Sequence, residues 1–245
     1  TIFFAHCNMK CVYCQNYIFS QLDKGSEVSI ERLASMMVEL QDMGCHNVNL
    51  VNPTHFVPQI LMAFKIAVGK DLNIPIVYNT SGYDSLDTIK ILDGIIDIYL
   101  PDMRYSDNSM AAAYSGAPDY VEHNRACISE MQRQVGGLVL DEKGIAIKGL
   151  IIRLLVLPNN ISGTADSLKF VKERISKNTY LSIMSQYYPT YKAHNFKELS
   201  RPISREEYKI KVDEARLLGL NNGWVQEVPE TIDKKFLGVN IKPSK

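Results

Sequence analysis

Short runs of Ile, Val, Leu and Tyr alternate with longer amphipathic segments along the whole chain, the pattern of βα units around a parallel sheet. Residues 1–5, 47–51, 74–79, 95–100, 149–157 and 180–185 read as six buried strands. Between them, Ile30, Leu33, Ala34, Met37 and Leu40 recur at helical spacing behind a Ser29 N-cap, and Gly44 ends that helix. Pro58 in a first turn, followed by Ile60, Leu61, Phe64 and Val68 with Gly69 beyond, predicts a second helix. Residues 85–92, 119–135 and 164–176 predict three more. Ser204 with Glu207 three residues on forms a capping box for a last helix that Gly219 closes. Residues 138–140 and 145–147 flank the polar turn Asp141-Glu142-Lys143-Gly144, which predicts a small hairpin before the fifth core strand. Met36, Met37 and Met43 fall at helical spacing and read as core. The fold expected is α/β, a partial (β/α)6 barrel, with chemistry at the C-terminal ends of its strands by analogy with complete barrels.

Nothing divides the chain: no linker, repeat or low-complexity tract interrupts the 245 residues, so one domain over 1–245 is expected. The chain opens at Thr1 directly on the apolar run Ile2-Phe3-Phe4-Ala5, and a natural N-terminal segment is expected to precede it. Lys+Arg and Asp+Glu are equal at 27 each, so no net field draws the protein to nucleic acid or anionic lipid. The longest apolar stretches fall well short of the roughly 18 residues a membrane span needs. No nucleic-acid or membrane partner is expected.

Five cysteines are present, three of them within eight positions, a usage that suits metal ligation in a reducing cytoplasm better than a disulfide framework. Cys7, Cys11 and Cys14 form a C-x3-C-x2-C array in the loop just past the first strand, where a barrel opens its site. Thiolates are soft ligands for iron-sulfur clusters or zinc. Three of them serve three irons of a cubane and leave the fourth open to a small molecule; with His6 or His46 they could instead complete a zinc tetrahedron. Cys45 and Cys127 stand alone in or beside helices and read as buried free cysteines.

The run from Cys7 through Asn8-Met9-Lys10 to Cys11, then Val12-Tyr13-Cys14, resembles the signature loop of the radical S-adenosylmethionine superfamily, including the aromatic residue before the third cysteine. Further matches down nearly the whole chain resemble the pyruvate formate-lyase activating enzymes, especially an activase-like branch. The resemblance implies a partial barrel of the radical S-adenosylmethionine type. It also implies a 4Fe-4S cluster held by Cys7, Cys11 and Cys14, whose open iron chelates S-adenosylmethionine. One electron from the cluster then yields methionine and a 5'-deoxyadenosyl radical that abstracts hydrogen from substrate.

The resemblance extends to positions after each strand. Leu50-Val51-Asn52-Pro53-Thr54 stands where the family carries a Gly-Gly-Glu-Pro-type motif, and Asn52 replaces its acid, still able to accept a hydrogen bond from an ammonium group. Asn79-Thr80-Ser81-Gly82 resembles the activases' Asp-Thr-Asn-Gly segment, which implicates Asn79 and Ser81. Asp102 with Arg104 resembles their Asp-Leu-Lys segment, and Arg104 or Arg153 has the guanidinium geometry for the cofactor carboxylate. Tyr13 and Tyr188 complete the implied cofactor set, Tyr188 standing where activases have a histidine. Tyr187, Tyr188, Tyr191 and His194 are expected on a loop over the barrel mouth; His55 is a weaker candidate.

The function implied is a radical S-adenosylmethionine oxidoreductase acting on a glycine of a partner protein of the glycyl-radical type, with an electron donor such as flavodoxin or ferredoxin. Radical modification of a peptide or small metabolite is the alternative within the same chemistry. A non-catalytic iron-sulfur or zinc module is the alternative outside it.

Overall fold

Alternation along parallel strands sorts side chains between the concave inside of a sheet and its helix-covered outside. The computed structural model describes residues 1–226 and shows that sorting throughout. Strands β1 (Ile2–Phe3), β2 (Val48–Val51), β3 (Ile76–Thr80), β4 (Ile98–Pro101), β6 (Ala146–Leu155), β7 (Tyr180–Met184) and β8 (Gly223–Val225) pair in parallel in the order β1-β2-β3-β4-β6-β7-β8. The short β5 (Val139–Leu140) pairs antiparallel with β6 alone. Among the described residues the sheet ends at β1 and β8, which do not pair with each other, as in a partial barrel.

Eight helices accompany the strands among the described residues: α1 (Tyr17–Ser20), α2 (Ile30–Asp42), α3 (Val57–Val68), α4 (Leu86–Ile91), α5 (Asn108–Ser115), α6 (Tyr120–Val135), α7 (Thr164–Phe170) and α8 (Arg205–Leu217). Ser29 caps α2 by accepting from Arg32 N at 3.1 Å, and the capping box of α8 is complete, with Glu207 N donating to Ser204 Oγ and Ser204 N to Glu207. The α7 helix runs on into a π-type turn, Val171–Ile175.

The fold class read from the sequence holds, with instructive differences. The hairpin exists, but its second strand is continuous with β6. Gly149 makes this feasible: at φ +125 a Cβ there would lie 2.5 Å from both Gly137 O and Leu138 Cα. Strand β8 and helices α1 and α5 were not expected. Met37 is buried in the core, whereas Met43, past the last turn of α2, is 76% exposed and is not a core residue. Residues 227–245 of the expected single domain lie outside the described residues.

Register aligns the inward positions. Val77 pairs with Ile98, and Ile151 shares their face, giving a small apolar cluster inside the sheet. One pleat further on, at the C-terminal strand ends, the same face carries Asn79 and Arg153, and β2 adds Asn49. The concave side is therefore apolar below and polar above.

Candidate active site

The loop after β1 carries the three cysteines and is held by backbone hydrogen bonds from distant elements. Lys10 N donates to Ser115 O at 2.8 Å and Val12 N to Tyr114 O at 2.9 Å, tying the loop to the C-terminal end of α5. Lys192 N donates to Val12 O at 2.8 Å, and Gln21 Nε2 to Met9 O at 3.0 Å. His6 takes φ +67, a left-handed turn that starts the loop.

Cys7, Cys11 and Cys14 all line one cleft of about 300 Å³ at the C-terminal ends of the strands. Cys11 is buried; Cys7 and Cys14 are half-buried. Their sulfurs are individually supported: Ser115 Oγ donates to Cys11 Sγ at 3.0 Å, Ser20 Oγ lies 3.2 Å from Cys14 Sγ, and Met9 N donates to Cys7 Sγ at 3.5 Å. Burial pushes the Cys7 thiol up to about 11 and raises Cys14 as well, with the neighbouring Cys11 adding to both. Thiols held up in this way, Cys7 and Cys14, gain more by sharing cationic metal than by ionising alone. Among the described residues, no three His, Cys, Asp or Glu side chains stand at the spacing of a single metal ion. His6 pairs with Asp23 at 3.1 Å and is exposed, as is His46. Cys45 lies apart from the cleft lining, and Cys127 is buried against Asp84 O at 3.2 Å, its thiol pushed up by burial to about 12.

Opposite the cysteines the cleft is lined by Asn49, Asn52, Asn79, Ser81, Asp102, Arg104 and Arg153. Asp102, 5% exposed, is the hub. Arg104 Nη2 donates to its Oδ2 at 2.6 Å, and Arg153 Nε lies 2.8 Å from its Oδ1, an ion pair by distance although not aligned as a hydrogen bond. Arg153 Nη2 also donates to Asn79 Oδ1 at 2.7 Å. A carboxylate between two guanidiniums leaves local positive charge beside the thiols, and Arg104 Nη1 stands 3.8 Å from Cys11 Sγ. Asn52 lies at φ +58, a conformation Asn tolerates, and its Oδ1 is 3.9 Å from Cys7 Sγ.

Ser81 Oγ, Arg104 Nε and Asn49 Oδ1 are buried in the cleft wall without a hydrogen-bond partner. Leaving such atoms unpaired costs about 1–3 kcal/mol each. A polar ligand reaching them removes that cost, and the donor set as a whole fits a thiolate-bound cluster with a zwitterionic molecule beside it. Asn49 is absent from the sequence-derived set. Its signal is the alternation Asn47-Val48-Asn49-Leu50, which puts polar side chains on one face of β2.

Two residues of that set do not line the cleft. Tyr13 is 3% exposed and turned behind the loop, its hydroxyl 2.7 Å from that of Tyr105 and its ring edge-on to Tyr187. Tyr188 is half-buried on the loop after β7. That loop, expected over the mouth, contributes nothing to the cleft lining, and Tyr187 is fixed in the core with its hydroxyl donating to Leu199 O at 2.6 Å. Tyr191 stacks on Tyr17 at 4.9 Å. His55 Nε2 donates to Ala5 O at 2.7 Å, outside the cleft.

Comparison with known proteins agrees with this geometry. The model of the Radical SAM superfamily matches residues 1–105, which include all three cysteines, Asn52, Asn79 and Asp102. An uncharacterized protein of Methanocaldococcus jannaschii is 28% identical over 231 residues, 90% of this chain and 63% of the relative. Among solved structures, the FeFe-hydrogenase maturase HydG from Carboxydothermus hydrogenoformans is similar with a TM-score of 0.59 at 12% identity, over 89% of this chain and 50% of HydG. Streptococcus suis SuiB bound to S-adenosylmethionine gives 0.59 at 12% identity, over 92% of this chain and 49% of SuiB. Methylornithine synthase PylB gives 0.58 at 14% identity, over 89% and 62%. The chain thus spans less than two thirds of the length of these proteins. Residues 1–105 match the Radical SAM superfamily model, and the chain as a whole shares the fold of these solved structures. The match implies a 4Fe-4S cluster and S-adenosylmethionine as cofactors. Among the described residues no helix is long and apolar enough to cross a membrane.

Proposed function

We propose that the protein uses this chemistry to take hydrogen from a glycine of a partner polypeptide, an activase-like role. The observation that carries the reading is the open side of the barrel: β1 ends the sheet next to the cleft, and Thr1 and Phe3, the latter 56% exposed, form the cleft's outer wall. An extended segment can reach the cleft there without the sheet opening. When bound, the cluster and S-adenosylmethionine supply an electron and a carbon-centred radical. The chain's own part is positional. Cys7, Cys11 and Cys14 would hold three irons; Asn52 would accept from the cofactor's amino group; Arg104 and Arg153, aligned by Asp102, would meet its carboxylate; Ser81 and Asn79 offer polar atoms along the wall. Tyr13 and Tyr188 are assigned no direct contact. A flavodoxin or ferredoxin is the proposed electron donor.

The test is anaerobic reconstitution with iron and sulfide, chemical reduction, and assay of 5'-deoxyadenosine with and without candidate partner proteins. The expected outcome is slow cleavage of S-adenosylmethionine alone and a glycyl signal in electron paramagnetic resonance on the partner. A small metabolite or free peptide that stimulates cleavage and emerges altered would replace the activase reading with direct modification. Protein that binds iron but never yields 5'-deoxyadenosine would be a non-catalytic module.

A further inference from the structure

Behind the cysteine loop runs a file of buried hydroxyls that ends on a cysteine sulfur. Tyr13 OH is 2.7 Å from Tyr105 OH, Tyr105 OH is 2.7 Å from Ser115 Oγ, and Ser115 Oγ is 3.0 Å from Cys11 Sγ. All three are nearly sealed from water: Ser115 is 0% exposed, Tyr105 1% and Tyr13 3%. Each hydroxyl has one proton, and a metal-bound thiolate can only accept. Proton accounting therefore orders the file in one direction. Ser115 donates to Cys11, so Tyr105 donates to Ser115, and Tyr13 donates to Tyr105. Hydrogen bonds aligned in this way polarise one another, which strengthens the last.

We infer that Ser115, backed by Tyr105 and Tyr13, is a positioning residue that raises the reduction potential of the cluster through its hydrogen bond to the Cys11 thiolate. The inference rests on the cluster reading above. Reduction adds negative charge to the cluster, and a donor on a ligand sulfur stabilises that charge; hydrogen bonds to the sulfurs are among the determinants of iron-sulfur potentials. The element that supplies the donor also places it, since Ser115 O and Tyr114 O receive Lys10 N and Val12 N from the same loop. Arg104, with Nη1 at 3.8 Å from the same sulfur, adds charge but a longer contact.

The experiment is a redox titration of the anaerobically reconstituted full chain, monitored by electron paramagnetic resonance, with iron and sulfide measured on each sample. In Ser115→Ala the midpoint should move negative by about tenfold in the reduction equilibrium, about 59 mV for one electron. Tyr105→Phe, which leaves the serine in place, should move it the same way by less. Ser115→Thr, which restores a hydroxyl, should return it toward wild type. A merely structural serine would lower cluster content without shifting the potential of the clusters that remain. An unchanged midpoint in Ser115→Ala at full cluster content overturns the inference while leaving the cluster reading intact. Should Ser115→Ala hold no cluster, an unchanged midpoint in Tyr105→Phe overturns it equally. A wild-type chain that takes up no iron overturns both.

Discussion

Asp84 and Asp102 are both buried carboxylates, and they are compensated in opposite ways. Asp102 has two guanidiniums. Asp84 has none; it accepts from Thr80 Oγ1 at 2.6 Å, Thr54 Oγ1 at 2.7 Å and Tyr78 OH at 3.0 Å, clamping the loop that bears Asn52 to the end of β3. Burial raises the Asp84 pKa, and the three hydroxyls only partly offset it. A carboxyl whose folded pKa is raised contributes stability that is complete below the ordinary value near ~3.9 and is lost as pH rises through the folded value. The stability of wild type minus that of Asp84→Asn, from urea unfolding, should therefore fall as pH rises from about 4 upward. A difference that grows with pH would mean the hydroxyls outweigh burial. Asn52 allows a cleaner separation. Asn52→Gly keeps the φ +58 turn without strain and deletes only the amide, so S-adenosylmethionine affinity should weaken by about 0.5–1.5 kcal/mol, measured calorimetrically on reconstituted protein. Equal affinity would reduce Asn52 to a turn residue.

At the scale of elements, strength of period decided what the sequence disclosed. The cysteines were visible from their spacing and Arg153 because a charge inside the apolar run of β6 had to be paired, whereas Asn79 and Asp102 were picked out by the family resemblance. Helix α2, with Leu33, Ala34 and Met37 on one buried face and a serine cap, was equally plain. The α5 helix was not: its Met110-Ala111-Ala112-Ala113 core has no apolar stripe to set a period, although it turns out to anchor the cysteine loop. The three exposed residues of β8 gave no burial pattern at all. Asp84 carries no signal of its role, because its partners are divided between β3 (Tyr78, Thr80) and the loop after β2 (Thr54). Tyr187 misled, since a tyrosine in a polar loop looks the same from sequence whether it grips a partner or plugs a core. The join of hairpin and β6 depends on Gly149. Gly149→Ala would force a Cβ onto the 137–138 backbone at a left-handed φ, so unfolding free energy should drop by about 1–3 kcal/mol in a denaturant titration. A neutral result would show that the 137–138 backbone is not packed on Gly149 as these distances indicate.

For the whole molecule, an unclosed sheet makes the first strand the weak point. Strand β1 has two residues, pairs only with β2, and leads straight into the cysteine loop. What holds that loop is contact with α5 and the segment after β7, not the sheet itself. Without metal, three thiols crowd there and burial disfavours the charged form of Cys7 and Cys14; with metal, the same crowding becomes ligation that ties β1 to the rest of the barrel. Metal sites of this kind couple binding to folding, and because the thiols must lose protons to ligate, binding releases protons. Reconstitution should accordingly raise the melting temperature of the protein under anaerobic conditions, and removal of iron with a chelator should reverse the gain. Uptake of iron should be faster at higher pH, since burial holds the Cys7 thiol up to about 11 and more thiolate forms as pH rises toward that value. Serine at Cys7, Cys11 or Cys14 should abolish the thermal gain, whereas serine at Cys45 or Cys127 should preserve it even where Cys127→Ser lowers the baseline by disturbing a buried site. Hydrogen exchange would locate the effect: added protection should concentrate in residues 2–20 and in α5, the two segments joined through Lys10, Val12 and the sulfur of Cys11. Protection spread evenly over the sheet, or a thermal gain that survives loss of all three cysteines, would place the metal somewhere other than this loop.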